Sequence, residues 1–396
     1  MKIPISKTIL SENEISSVIK TIKSGWLVQG PKVKEFERLF SKFVGVKYSI
    51  AVTSCTTALN LSLAALNIGK GDEVIVPAFT WISTANVVEN LNAKVVFCDI
   101  DLNTFNIDVS KIESKITKKT KAIIPVHLFG LAANIKKVNS IAKKNKIKII
   151  EDAACGFGTY YNGQHVGKFG ITGCFSFHPR KSITTGEGGM ITTNNKSLAL
   201  KLRSLRDNGA NINNLDRHLS SQPYLLSDHS SPGLNQRMTD IQASLGCSQM
   251  IIAKRVISER RRLFNKYNKN FKKLNWLQIP SVPKKDKHGC QSYACLLFPE
   301  IVKKAVKDKN LSKIKYINNL RNKWMQKLQK QGIGTRPATH AVHMLSYYKK
   351  KYKISEMNYP NALAANDCSI SLPLFYGMTD KEQNFIIKTV KEAKLI

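Results

Sequence analysis

Between about residues 36 and 250, short apolar runs alternate with longer stretches of helical periodicity, and this alternation constrains the fold more than any other feature of the chain. The runs at residues 48–53, 73–76, 147–150, 174–177 and 190–193 have strand length and are bounded by glycine or polar turn residues. Strands apolar on successive positions are buried on both faces, which requires helices on either side and predicts a mostly parallel sheet. The expected fold class is α/β. With 396 residues and 42% hydrophobic content, the chain is long enough for more than one core. Two domains are expected. Residues 1–250 comprise an N-terminal arm and the large α/β domain, and residues 251–396 form a smaller C-terminal domain opened by a long basic helix at 251–273. A helix at 11–24, followed by Gly25 and Trp26, is expected to pack back near the site of the large domain. Residues 303–330 read as a basic helical insertion and 208–231 as a long polar loop.

The chemistry concentrates in two segments, IKIIEDAACGFG (147–158) and FSFHPRKSITTGEGG (175–189). Open α/β sheets bind ligands beyond the carboxyl ends of their strands, which is where Glu151 and Asp152 follow the run 147–150. Asp152 reads either as a crevice carboxylate or as a turn or cap residue before Ala153. Lys181 lies between the strands at 174–177 and 190–193, with Gly186, Gly188 and Gly189 allowing tight turns before the second. From there a side chain can reach across the sheet's edge, but in a chain so rich in lysine the position alone assigns nothing. Ser54-Cys55-Thr56-Thr57 leads from a strand into a helix at 58–66, so its N–H groups would meet an anion. Ser54 as a plain N-cap explains the helix start equally well.

Seven strings carry a wider likeness: SCTTAL (54–59), VPAFTWISTAN (76–86), EDAACGFG (151–158), FSFHPRKSITTGEGG, LNQRMTDIQASLG (234–246), GTRPATHAVH (334–343) and SLPLF (371–375). In this order they resemble the motifs of the DegT/DnrJ/EryC1/StrS family of sugar aminotransferases, and the likeness runs from about residue 3 to the C-terminus. The resemblance implies fold type I, with a mostly parallel seven-stranded sheet between helices and a smaller C-terminal α/β domain. It also implies pyridoxal 5'-phosphate (PLP) as cofactor. Lys181 would anchor the aldehyde and, once released, move a proton between substrate and cofactor carbons, which needs an amine able to lose its charge. Asp152 would keep the pyridine nitrogen protonated, making the ring a better electron sink. By the same resemblance Trp81 stacks on the ring, although as a lone tryptophan at a helix start it would more often be core. Ser176, with Cys55, Thr56 and Thr57, would hold the phosphate. Asn235 would reach the phosphate of a neighbouring subunit, which implies a homodimer with shared active sites.

Two positions depart from the family pattern. Similar proteins place Gly-Thr where this chain has Cys55 and Thr56, and many carry glutamine where it has Cys155, whose thiol is a weaker donor to the cofactor. A branch of the family that dehydrates keto sugars replaces the lysine with histidine, so Lys181 favours amino transfer. The implied substrates are an amino-acid donor, glutamate, and a nucleotide-linked keto-deoxysugar, with the product feeding surface polysaccharide, lipopolysaccharide or other amino-sugar synthesis. Thr335, Arg336, His340 and His343 lie in the polar stretch expected to wall the substrate, with Arg336 and His343 as its contacts. Arg237 reads either as a substrate contact or as a structural ion-pair partner. The spacing of His340 and His343 would also suit a metal, but no HExxH pattern or cysteine cluster accompanies it, and no metal is expected. The rival readings are a PLP-dependent dehydratase or epimerase and a non-catalytic PLP-binding regulatory protein.

The net charge of +35 raises nucleic acid as a partner. Lysine is spread along the chain without interleaved aromatic platforms or a helix-turn-helix, which favours a solvated basic surface and no nucleic-acid role. The charge would help attract an anionic sugar nucleotide. Cysteines 55, 98, 155, 174, 247, 290, 295 and 368 lack metal-site spacing and read as reduced thiols of a cytoplasmic protein. No run of eighteen apolar residues or signal-peptide core is present, so membrane insertion is not expected.

Overall fold

The computed structural model describes residues 1–212 and 214–393. Asn213, inside the expected loop 208–231, and residues 394–396 of the expected C-terminal domain lie outside the described residues.

Seven strands build the main sheet: β1 Tyr48–Val52, β2 Glu73–Pro77, β3 Lys94–Cys98, β4 Thr120–Ile123, β5 Lys148–Asp152, β6 Thr172–Ser176 and β7 Gly189–Thr193. Their spatial order is β1-β7-β6-β5-β4-β2-β3. All adjacent pairs are parallel except those made by β7, which runs against both β1 and β6. The sequence explains this. The run EVIVP of β2 is buried at every position, as a central strand covered on both faces must be. The link from β6 to β7 is a loop of only twelve residues carrying Lys181, too short for the helical crossover a parallel partner needs, so β7 returns antiparallel.

The free edge of β1 is closed by charged side chains. Glu37 accepts from the Ala51 N–H at 2.9 Å, while Arg206 donates to the Ala51 carbonyl at 2.8 Å and Arg203 to the Ser49 carbonyl at 2.9 Å. Both arginines also pair with Glu37, so the edge presents no open ladder to another strand.

The long basic helix expected at 251–273 runs instead over Asp240–Phe271. It begins eleven residues earlier because Thr239 and Gln242 form a capping box. The boundary expected between residues 250 and 251 therefore falls inside a continuous helix. One end of this helix packs on Pro31–Val44 and Glu12–Lys23 of the N-terminal region. Its other end buries Leu263, Phe264, Tyr267 and Phe271 against a second sheet, β8 Leu277–Gln278, β9 Tyr293–Leu297 and β10 Ser369–Leu372. Removing a ring such as Phe264 would cost about 3–5 kcal/mol.

Within residues 303–330 run the end of helix Pro299–Lys307 and the whole of helix Leu311–Lys330, and Ile314, Ile317, Trp324 and Leu328 are core residues. The lysines occupy the outer face left over by that apolar stripe. The segment 208–231 carries a short helix, Asn214–His218, within its otherwise irregular path. The N-terminal helix forms at Glu12–Lys23 as expected, and the arm before it reaches the lysine loop, where the Thr8 hydroxyl donates to the Pro179 carbonyl at 3.1 Å.

Candidate active site

The sheet brings the chemistry to the carboxyl ends of β1, β5 and β6. Asp152 is the last residue of β5 and only 4% exposed. Its main chain is fixed on both sides, N–H to the Pro125 carbonyl and carbonyl from the His127 N–H, each at 2.9 Å. One carboxylate oxygen accepts from Thr84 Oγ1 at 2.8 Å and the other from the Ala154 N–H at 3.1 Å. Burial raises the Asp152 pKa against the lowering effect of these donors. A cationic N–H offered to this carboxylate would offset its desolvation.

Glu151 points to the opposite face of β5 and serves the structure. Fully buried, it accepts from the N–H groups of Gly167, Phe169 and Gly170 at 2.7–2.8 Å and pairs with His127 Nε2 at 2.9 Å. The Ala133 N–H donates to His127 Nδ1, so Nε2 carries the proton given to Glu151. Burial raises the Glu151 pKa, but these donors more than reverse it and hold the acid below its ordinary range.

Lys181 is half-buried in the β6–β7 loop, its N–H bonded to the His178 carbonyl at 2.8 Å. Its Nζ lies 3.3 Å from Cys155 Sγ. Burial lowers the Lys181 pKa, but Cys155, Cys55 and Asp152 outweigh it and raise the ammonium above its ordinary value. The lysine thus shares one electrostatic environment with Asp152.

A hydroxyl cluster lies at the start of helix Cys55–Ala65. Ser54 caps the helix by accepting from the Thr57 N–H at 3.1 Å, Thr53 and Ser54 contact Thr57 Oγ1 at 2.9 and 3.0 Å, and Thr56 Oγ1 donates to Ser83 at 2.9 Å. The helix N-terminus and these hydroxyls form a donor set suited to a phosphate. Val52, Gly189 and Ser176 stand in register across β1, β7 and β6, so Ser176 is carried to the same end of the sheet. A Cβ on Gly189 would collide with the Ser54 carbonyl, so only glycine lets β7 pass this close to the turn. The Cys55 thiol, by contrast, is buried and donates to the Cys174 carbonyl at 3.4 Å. Its side chain faces the sheet, and the main-chain N–H of Cys55 is the group this position offers an anion. Cys55 is helical and needs no positive φ, so replacing glycine there strains nothing.

Trp81 stands open beside this pocket, 57% exposed, with the ring of His340 at 5.5 Å. His340 is placed by the pairing of His340–Ala341 with Phe79–Thr80. His343, the expected substrate contact, is fully buried against Tyr359 and Phe97, and burial lowers its pKa to about 4. The exposed histidine of this segment is His340, three residues earlier. Arg336 is exposed, and no ion pair is formed by it among the described residues. Arg237 pairs with Asp207, and its main chain bridges Val52. That is the structural alternative for this residue. Asn235 is exposed next to that bridge.

The donor set fits PLP: a buried acid for the ring nitrogen, a lysine in the same electrostatic environment, an open aromatic face and a hydroxyl-lined helix N-terminus. A cavity of about 1030 Å³ along the outer edge of β1 contains none of these groups. Thr84 and Ser83 escape a reading of the sequence, although both sit within the Trp81 motif.

Comparison with known proteins decides the family. The model of the DegT/DnrJ/EryC1/StrS aminotransferase family matches residues 8–391. The chain belongs to this family. It is similar to the spore coat polysaccharide biosynthesis protein SpsC of Bacillus subtilis, with 34% identity over 390 residues, 98% of this chain and 96% of that protein. Among solved structures it is similar to the PLP form of the putative sugar aminotransferase Spr1654 from Streptococcus pneumoniae. The two superpose with a TM-score of 0.88 at 29% identity, covering 99% of this chain and 98% of that one. Helicobacter pylori PseC, an aminotransferase involved in the biosynthesis of pseudoaminic acid, gives 0.86 at 26% identity and covers 99% of each chain. The DegT/DnrJ/EryC1/StrS enzymes are PLP-dependent aminotransferases of fold type I, and the mostly parallel seven-stranded sheet agrees with that fold.

Proposed function

We propose that this family member transfers an amino group from glutamate to the ketone of a nucleotide-linked keto-deoxysugar, for surface polysaccharide or amino-sugar synthesis. The observation that supports this reading is that Lys181 and Asp152 share one electrostatic environment beside a hydroxyl-lined helix N-terminus. When bound, PLP supplies the electron sink. Lys181 would anchor it and, as a free amine, would carry a proton between substrate and cofactor carbons. Asp152, oriented by Thr84, retains the proton on the ring nitrogen. Ser176, Thr56, Thr57 and the first N–H groups of helix Cys55–Ala65 bind the phosphate. Trp81 stacks on the ring, and His340 beside it forms the wall against which the sugar packs.

The names of SpsC, Spr1654 and PseC all support a sugar acceptor. Asn235, exposed at the rim, is read as the residue each subunit lends to its partner in a homodimer. All eight cysteines are free, which agrees with a cytoplasmic enzyme. No helix among the described residues is long and apolar enough to cross a membrane.

The test is direct. PLP-loaded protein should show visible absorption that shifts on addition of glutamate and is lost in Lys181→Ala. Mass spectrometry of UDP-, GDP- and dTDP-linked keto sugars incubated with glutamate should reveal the aminated product. Product formed without consumption of glutamate would point to dehydration or epimerisation instead, and cofactor binding without amino exchange to a regulatory protein.

A further inference from the structure

The hydroxyl that orients Asp152 is itself held by a second one. Thr84 Oγ1 donates to Asp152 Oδ2 at 2.8 Å and lies 3.1 Å from Thr80 Oγ1. A hydroxyl has a single proton. With Asp152 ionised, the Thr84 proton is committed to the carboxylate, so the Thr80 proton points to Thr84 and the chain runs one way, from Thr80 through Thr84 to Asp152. Thr80 and Thr84 are 1% and 0% exposed, so bulk water cannot take the place of either hydroxyl.

Local structure makes this chain. Phe79 and Thr80 form a two-residue strand, and successive side chains of a strand point to opposite faces. Phe79 packs against the rings of Phe105 and Phe129 at 5.8 and 6.4 Å, which turns Thr80 to the other face. The backbone then turns at once into helix Ser83–Glu89, with the Thr84 N–H donating to the Trp81 carbonyl at 3.1 Å, and this turn brings Thr84 back to Thr80. The main chain of Thr80 is fixed independently of its hydroxyl. Its carbonyl accepts from Thr339 Oγ1 at 3.1 Å, and the strand pairs Thr80 with His340.

We propose that Thr80 is a positioning residue of the cofactor site, its buried hydroxyl acting through Thr84 to fix the carboxylate that receives the ring nitrogen. This role presupposes that Asp152 is the acid at that nitrogen, as in the proposed function. Burial pushes Asp152 toward its neutral form, and the Thr84 hydroxyl is foremost among the groups that oppose this. A neutral acid would not hold a charged ring N–H in place. The bond from Thr80 polarises the Thr84 O–H and strengthens its donation to the carboxylate, as in any chain of hydrogen bonds in a low-dielectric interior. It also fixes the rotation of the Thr84 hydroxyl, which would otherwise be free about its C–O bond. Trp81 follows Thr80 directly and His340 pairs with it, so the acid, the aromatic face and the substrate wall are all spaced from this one residue.

The test uses the full chain with the variants Thr80→Val, Thr80→Ser, Thr84→Val, the double valine variant and Asp152→Asn, each checked for folding by thermal unfolding. Absorbance titration of cofactor-free protein should show PLP affinity reduced about three- to tenfold in Thr80→Val and close to wild type in Thr80→Ser. In the half-reaction of PLP-saturated enzyme with glutamate, the maximal rate should fall by a similar factor, while the half-saturating glutamate concentration stays within about twofold. The double variant should lose no more than Thr84→Val alone, because Thr80 acts only through Thr84. Wild-type PLP affinity in folded Thr80→Val would overturn the proposal. So would losses that add in the double variant, or a serine variant as impaired as the valine one, either of which would assign Thr80 to packing. Asp152→Asn separates the two levels of the argument. If it binds PLP and reacts as wild type, the reading of Asp152 falls and the role of Thr80 with it; if it is impaired while Thr80→Val is not, the role of Thr80 alone falls.

Discussion

Lys181 Nζ is in contact with Cys155 Sγ at 3.3 Å, so the proposed anchor of the cofactor touches a thiol. Burial lowers the pKa of this lysine, and Cys155 is foremost among the groups that raise it. Cys155→Ala should therefore lower it. In cofactor-free protein, the pH dependence of reductive methylation at Lys181 should shift to lower pH in the variant. An unmoved midpoint would show that the contact does not govern the amine.

Thr84 is the side chain that orients Asp152, at 2.8 Å. A hydrogen bond to a charged group contributes about 1.5–3 kcal/mol, so Thr84→Val should weaken cofactor binding and turnover by about tenfold or more. Thr84→Ser should recover most of the loss. Wild-type cofactor affinity in the valine variant, read by absorbance titration, would remove Thr84 from the site.

Gly189 lies against the main chain of Ser54 and Cys55, which cannot yield as a flexible side chain can. Gly189→Ala should push β7 off the phosphate turn. The expected outcome is poor PLP retention on gel filtration together with a lower thermal midpoint. Retention equal to wild type would show that the turn tolerates displacement.

The two histidines of the 334–343 segment should separate by phenotype. His340→Ala is expected to reduce kcat/KM for the sugar by about tenfold, the loss of about 1.4 kcal/mol of transition-state binding, with little change in unfolding temperature. His343→Ala opens a cavity beside Tyr359 and should cost about 2–4 kcal/mol of stability. The reverse assignment of phenotypes would restore His343 as the sugar contact.

Acid should destabilise the fold before the carboxylates titrate. Burial lowers the pKa of His165 and His343 to about 4 and of His288 to about 3. Each is neutral in the folded protein, while in the unfolded chain it takes up a proton near pH 6.5, so the unfolded state binds more protons below that pH. The stability these groups contribute is fully present above pH 6.5 and falls as pH drops toward 4, by about 3 kcal/mol for each of His165 and His343. Denaturant unfolding between pH 7 and 4.5 measures this, and a flat profile would contradict it.

The main sheet and the ends of the cofactor site are legible in the sequence because local residues determine them. A strand ending in Asp152, a loop too short for a crossover, and hydroxyls at a helix start each declare themselves within a dozen residues. What escapes depends on distant partners. His340 rather than His343 is exposed beside Trp81 because His340–Ala341 pairs with Phe79–Thr80, a strand contact some 260 residues away in the chain. The Cys55 thiol turns toward the sheet because of the Cys174 carbonyl on β6. The start of the long helix is obscured because Thr239 and Gln242 fall within the motif LNQRMTDIQASLG, whose likeness to a subunit contact masks an ordinary capping box.

That helix, Asp240–Phe271, is a rod about 48 Å long by its residue count. Just before its head lie Arg237 and Asn235, and near its tail the Tyr267 hydroxyl donates to the Pro373 carbonyl, one residue beyond β10 of the second sheet, at 2.9 Å. One continuous helix therefore joins the segment that carries Asn235 to the second sheet and sets the separation between them.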